Sequence, residues 1–305
     1  MTTMDTMVGS GLSDPLRERL RRDGYLYLPG LLDPAEVRSV DADIRRALHA
    51  LGWLAEPTGH TLAGPVPSDR ARPAFREAYD SLQGIEGLHR LAHAPAIHEV
   101  IQGLLEEEVF CHPAKIARVA LPTGPDEGYS TGAHQDFVKL HVASDVLTVW
   151  IPLTPCTPRR QGLRVLTGSH RGGFLPVEPA LARSLPVYLP VDPADPRWRT
   201  SDYALGDAVI FHSLTVHGGG PNTTDRVRLS IDVRYQRRTD PMRSEYAHPH
   251  GRPRVPDWPE LCRDWSTDAW VRMPADVPTV PMPTDVSYAD YLSTLVAPPS
   301  RLLGY

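Results

Sequence analysis

Residues 206–222 read GDAVIFHSLTVHGGGPN, and residues 226–235 follow with RVRLSIDVRY. The apolar run Ala208–Phe211 suits a strand, and glycine-rich 218–220 suits a strand-connecting turn. That glycine run lacks a following helix and lysine, so a phosphate cradle is disfavoured. The second stretch alternates strictly. Arg228, Ser230, Asp232 and Arg234 fall on one face, and Val227, Leu229, Ile231 and Val233 on the other. A strand returning beside His217 would carry Arg228 deep into the interior. Arg226, nearer the turn, reads as solvated.

Working outward, short β-prone runs at 114–121, 134–138, 145–153, 163–167, 185–190, 208–212 and 226–236 alternate with Pro/Gly turns. Such spacing predicts an antiparallel barrel or sandwich. Before residue 110 the texture is helical. Asp33 caps a helix running to about Leu51, with Pro34 at its first position. Val37, Val40, Ile44, Ala47, Leu48 and Leu51 give that helix one apolar face. Further helices are expected over 13–22, 75–92 and 95–106, with a strand at 25–30 and a loop at 55–74. We therefore read one domain over 1–305: a flexible tail (1–12), a helical N-terminal part (13–110), a β core (111–236) and an irregular C-terminal cap (237–305). The cap's tryptophans read as packing anchors.

Composition narrows the function. A net charge of −5 with pI ≈ 6.2 speaks against nucleic acid or an anionic membrane as partner. No run approaches the ~18 apolar residues of a membrane span, and the first residues lack the pattern of a signal peptide. Cys111, Cys156 and Cys262 are odd in number and form no CxxC pair, so a disulfide framework or zinc–thiolate site is not expected. A reducing, cytoplasmic compartment is the simplest expectation.

The chemistry lies in three places. His134-Gln135-Asp136 would project an imidazole and a carboxylate to the same side of an extended chain. His217 supplies a second imidazole. Two histidines and a carboxylate make the facial triad that holds iron(II) and leaves coordination positions open. The third is Arg228, whose planar fork on an apolar interior suits a carboxylate. 2-Oxoglutarate fits that demand: its far carboxylate on Arg228 with a second bond from Ser230, its near end on the metal, and one position left for O₂. His170 reads as satisfying backbone at a turn, His212 as a core or neighbouring histidine, and Asp207 as a turn residue.

These motifs, with RRDGYLYLPGLLDPAEV at 21–37, LTVWIPLTP at 147–155 and QGLRVLTGSHRGG at 161–173, resemble the phytanoyl-CoA dioxygenase family. The resemblance implies a mainly β fold, a double-stranded β-helix (jelly-roll, cupin-like) core with a helical N-terminal part. It implies iron on His134, Asp136 and His217, and 2-oxoglutarate on Arg228. It also suggests Trp150 as an aromatic lining the co-substrate pocket, and Thr148 shares its face. Halogenases of this superfamily lack the carboxylate ligand; Asp136 argues against halogenation. Where the family often has a small hydroxyl residue two positions past the distal histidine, this chain has Gly219. The expected reaction is hydroxylation of a C–H bond in a small molecule, as in natural-product tailoring. Desaturation, cyclisation or epimerisation are the alternatives, and a catalytically silent cupin-like binding protein is the rival from another class. Phe137, Lys139 and Arg234 are the expected substrate contacts.

Overall fold

Asp33 accepts a hydrogen bond from Ala35 N at 2.8 Å and starts helix α2, Pro34–Ala50, as its sequence requires. Val37, Val40, Ile44 and Leu48 are buried along one face. The computed structural model describes residues 2–4, 13–66, 73–122, 132–157, 162–175, 189–251 and 256–304. Before α2 come helix α1, Ser13–Asp23, and strand β2, Tyr25–Leu28. After it come α3, Pro73–Gln83, α4, Glu86–Leu91, and α5, Pro95–Leu105. The helix expected over 75–92 is thus two, broken between Gln83 and Glu86, where Gly84 closes the turn on Asp80 and Ser81. The expected tail is partly ordered: Thr2–Thr3 form strand β1, and Met4 is buried against Tyr203.

The remaining strands of the core are β3, Val109–Cys111; β4, Ile116–Ala120; β5, Leu147–Pro152; and β6, Leu163–Leu166. Then follow β7, Trp198–Thr200; β8, Ala208–His212; β9, His217–Gly219; and β10, Arg228–Arg237. One sheet has the order β2-β8-β5-β10-β3, with β4 also on β10, all antiparallel. The other has the order β1-β7-β6-β9, antiparallel except for β1 on β7. The chain is therefore a mixed helix–strand protein built on largely antiparallel sheets.

Period-two alternation decides which side chain faces which layer. Leu26, Leu28, Val149, Ile151, Ala208, Ile210, Leu229, Ile231 and Val233 join the helices in one apolar cluster. Their neighbours Tyr25, Tyr27, Trp150, Val209 and Phe211 turn the other way and pack on Leu163 and Val165 of the second sheet and on Tyr203, which follows β7. The larger sheet thus lies between helices and the smaller sheet, and the polar face of β10 looks into the gap.

Three local expectations fail. β10 does not return beside the His217 strand: β9 pairs with β6, and β10 with β3, β4 and β5. The residues between β9 and β10 carry the chain from one sheet to the other, which a hairpin would not do. Gly218 and Gly219 belong to β9 itself, opposite Arg164 and Leu163, and the turn comes later. Residues 134–138 are not a strand. His134 makes a single bridge to His217, and the chain then winds into the short helix α6, Phe137–Leu140. Lys139 N and Leu140 N both bond Asp136 O (2.9 and 3.2 Å), and Phe137 N bonds Ser213 O (3.0 Å), which fixes the turn. Most of the strand expected at 185–190 lies outside the described residues.

The C-terminal segment is well anchored. It contains β11, Met242–Arg243, paired with β12, Thr279–Val280, and helices α7, Trp258–Leu261, and α8, Tyr288–Thr294. Its indoles donate to Ala247 O (Trp258, 2.7 Å), Gly84 O (Trp265, 2.8 Å) and Glu86 Oε1 (Trp270, 3.0 Å). Buried Asp145 accepts from Arg237 Nη1 at 2.6 Å and Leu302 N at 2.9 Å, pinning residue 302 to β10. Among the described residues no helix is long and apolar enough to cross a membrane.

Candidate metal and co-substrate site

His134 and His217 face each other across their bridge, exchanging two backbone hydrogen bonds of 2.9 Å. Each ring is turned by its own chain. His134 Nδ1 lies 2.9 Å from Gly132 O, and His217 Nδ1 lies 3.0 Å from Thr215 O. A carbonyl can only accept, so each Nδ1 carries the proton and each Nε2 offers a lone pair. The Nε2 atoms lie 3.8 Å (His134) and 3.9 Å (His217) from Asp136 Oδ1. Among the described residues these three form the one group of His, Cys, Asp and Glu whose donor atoms, all within 4.8 Å of one another, could hold a metal ion.

The electrostatics suit a cation. Burial, then the neighbouring imidazole, holds His134 well below the usual histidine range, and burial lowers His217 too. Both rings are neutral near pH 7, the form that ligates. Burial alone would raise Asp136, but the Arg234 guanidinium, the two histidines and Thr148 hold it well below the usual carboxylate range. The donor set is two neutral nitrogens and one carboxylate oxygen, with both rings oriented by backbone. That fits a first-row divalent ion.

His134 and Asp136 come together for a different reason from the extended geometry expected. The bridge at His134 and the turn into α6 swing Asp136 back beneath the ring. Thr148 Oγ1 donates to Asp136 Oδ2 at 2.6 Å. Arg234 Nη2 lies 3.1 Å from Oδ1 and 3.2 Å from Oδ2. Thr148, expected to line the co-substrate pocket, and Arg234, expected to meet substrate, both hold Asp136 instead. Phe137 is fully buried against Phe174 (ring centroids 5.2 Å) and does not line the cleft. Lys139 is half-buried and close enough to oppose protonation of His134.

A cleft between the sheets opens beside the two histidines. Arg118, Trp150, Phe211, Gly219, Arg228 and Asp232 line it. Arg228 donates through Nη1 to Ser230 Oγ, and Trp150 Nε1 donates to the same oxygen at 3.1 Å. With both lone pairs of Ser230 engaged, its hydroxyl proton is left to point at an acceptor in the cleft. Arg228, Ser230, Asp232 and Arg234 of β10 are all buried. Arg118 and Asp232, paired through Nε and Oδ2, received no role from the sequence. An arginine inside the otherwise apolar run Ile116–Ala120 was the available signal. The bland readings stand for others: His170 Nε2 meets Arg21 O at 2.9 Å, and His212 packs with Asp145 at 3.3 Å.

The sequence matches the model of the phytanoyl-CoA dioxygenase family over residues 20–230, and the chain belongs to that family. It is accordingly an enzyme of the class of non-haem oxygenases that depend on iron and 2-oxoglutarate. It is 29% identical over 260 residues to the 1-deoxypentalenic acid 11-beta-hydroxylase of Streptomyces arenae, covering 80% of this chain and 85% of that one. It is 24% identical to the peroxisomal phytanoyl-CoA dioxygenase of Rattus norvegicus, over 75% of this chain and 70% of that one. Among solved structures it resembles the epimerase SnoN in complex with Fe3+, alpha-ketoglutarate and nogalamycin RO, with a TM-score of 0.54 and 24% identity. That match covers 75% of this chain and 84% of SnoN. The carbocyclase SnoK from nogalamycin biosynthesis follows at a TM-score of 0.52 and 22% identity, over 83% and 91% of the two chains. These likenesses establish a shared fold.

Proposed function

We propose that the chain is an iron(II)/2-oxoglutarate-dependent dioxygenase that hydroxylates a C–H bond of a small molecule in natural-product biosynthesis. The observation that carries this reading is that His134, His217 and Arg228 line one cleft, with Asp136 Oδ1 3.8 and 3.9 Å from the two imidazole Nε2 atoms. Its fold is then the double-stranded β-helix of the family in a single domain, with the helical part backing the larger sheet. Hydroxylation draws support from the relative named as an 11-beta-hydroxylase. The three cysteines, all at least half-buried, suit a reducing cytoplasm.

In this reading His134, Asp136 and His217 hold the metal. Arg228 takes the distal carboxylate of 2-oxoglutarate, Ser230 adds a hydrogen bond, and Trp150 packs beside it and fixes Ser230. The metal with its co-substrates supplies the oxidant that removes a hydrogen atom from an unactivated carbon, 2-oxoglutarate leaving as succinate and CO₂. The protein's own work is positional. The backbone carbonyls of Gly132 and Thr215 aim the imidazoles. The apolar walls from Phe211 and Leu163 keep water from the reacting centre.

The test is anaerobic titration of metal-free protein with Fe(II) and 2-oxoglutarate, followed by the weak visible charge-transfer band of the chelate. The band should need both components. Asp136→Ala should abolish it, and Arg228→Ala should weaken 2-oxoglutarate binding by roughly 30- to 100-fold, the loss of a charge-assisted pair. Bound iron without a band would sink the 2-oxoglutarate reading. Failure to bind iron would favour a silent binding protein.

A further inference from the structure

We infer that Thr148 and Arg234 are positioning residues for the Asp136 carboxylate, Thr148 keeping Oδ2 in the protein and Arg234 bracing both oxygens, so that Oδ1 is presented to the metal. The inference rests on the metal-site reading above. Oδ1 is the oxygen that faces both imidazole Nε2 atoms, at 3.8 and 3.9 Å. Oδ2 takes the Thr148 hydroxyl at 2.6 Å. Arg234 Nη2 lies under both oxygens, and among the described residues its Nε and Nη1 make no hydrogen bond, so the guanidinium's hydrogen bonds there go to Asp136.

The two supports form one shelf. Thr148 on β5 and Arg234 on β10 are direct cross-strand partners with their side chains on the same inward face. Thr148, Arg234 and Asp136 are each 1% exposed or less, so bulk water does not compete for these bonds. A carboxylate free to pivot could turn both oxygens to the metal and take a position that the co-substrates need. With Oδ2 held by Thr148, Asp136 would offer Oδ1 to the metal and leave coordination positions to the co-substrates. Arg234 meets both oxygens through Nη2 alone, held in place by a planar guanidinium packed in the interior, whereas a lysine ammonium would be a point charge on a more flexible stem.

The test is titration of the metal-free protein with Co(II), read by calorimetry and by the visible d–d absorption, which reports ligand number. Thr148→Ser keeps the hydroxyl and should match the wild type. Thr148→Val and Arg234→Lys should bind about 10- to 100-fold more weakly, with altered absorption. Arg234→Lys retains charge and near-equal length, so it carries the test should Thr148→Val fail to fold by circular dichroism. Wild-type binding with all variants within about twofold and spectrally identical would overturn the inference alone. A wild type that takes neither Co(II) nor Fe(II) would overturn the metal-site reading and this inference with it.

Discussion

Asp207 shows what a single carboxylate does at the junction of sheet and helix. It accepts from the Tyr27 hydroxyl at 2.7 Å, Gly30 N at 3.0 Å and Ala204 N at 2.8 Å. Burial first, then that bond, pushes the Tyr27 hydroxyl up to about 12. Beside it, Gly206 sits at φ +95°, and a Cβ there would come within 2.5 Å of Leu32 O. Asp207→Ala strands three donors and should cost about 3 kcal/mol in denaturant unfolding, with no change in the metal's absorption. At this scale the sequence is legible where chemistry names the residue. His134, Asp136, His217 and Arg228 announce themselves by type. The partnership of Thr148 and Arg234 with Asp136 does not, because it depends on the chain turning helical at Asp136. The Ser213 carbonyl helps to fix that turn from a distant segment.

Strand β10 carries both the fold and the site, one on each face. The alternation in RVRLSIDVRY was legible, and all four polar residues on one face are buried where it put them. What the alternation could not give was the neighbour, since a period of two fixes a face and leaves the pairing partner open. The strand was expected beside His217 and lies in the other sheet. Ile231, fully buried against the helices, tests the division of labour. Ile231→Ala should lower unfolding stability by about 2–5 kcal/mol while leaving Co(II) affinity unchanged at saturating stability. A large loss of metal affinity in a folded variant would show that the two faces are coupled.

At the scale of the molecule, three histidines away from the metal site are packed with their charge disfavoured. Burial pushes His112 down to about 3, and His141 and His170 to about 4. Each binds a proton more readily unfolded, near the ordinary value of about 6.5, than folded. Their stabilising contribution is therefore full above pH ~6.5 and is lost as pH falls toward ~4, by at most roughly 1.4 kcal/mol per pH unit each. Asp145, held well below the usual range, gives way only at lower pH. The thermal midpoint should fall by several degrees between pH 7 and pH 5; a flat profile would contradict it. The layered architecture was legible in outline from strand spacing and the α2 face. In the C-terminal part the tryptophans were legible as anchors but their partners were not, because single side-chain bonds to Ala247, Gly84 and Glu86 carry no periodicity.

Among the described strands β2 lies at one edge of the larger sheet, hydrogen-bonded to β8 alone, and Tyr27 meets Asp207 across a separation of 180 residues. During synthesis at ~5–20 residues per second, β2 emerges about 10–40 s before its partner exists. For that interval YLYL is a naked apolar strand with every ladder bond unmade, the kind of segment that recruits like edges. Newly made chains should therefore be most prone to aggregate before β8 leaves the ribosome. Slowing translation between the two strands, with the finished fold unchanged, should lower soluble yield.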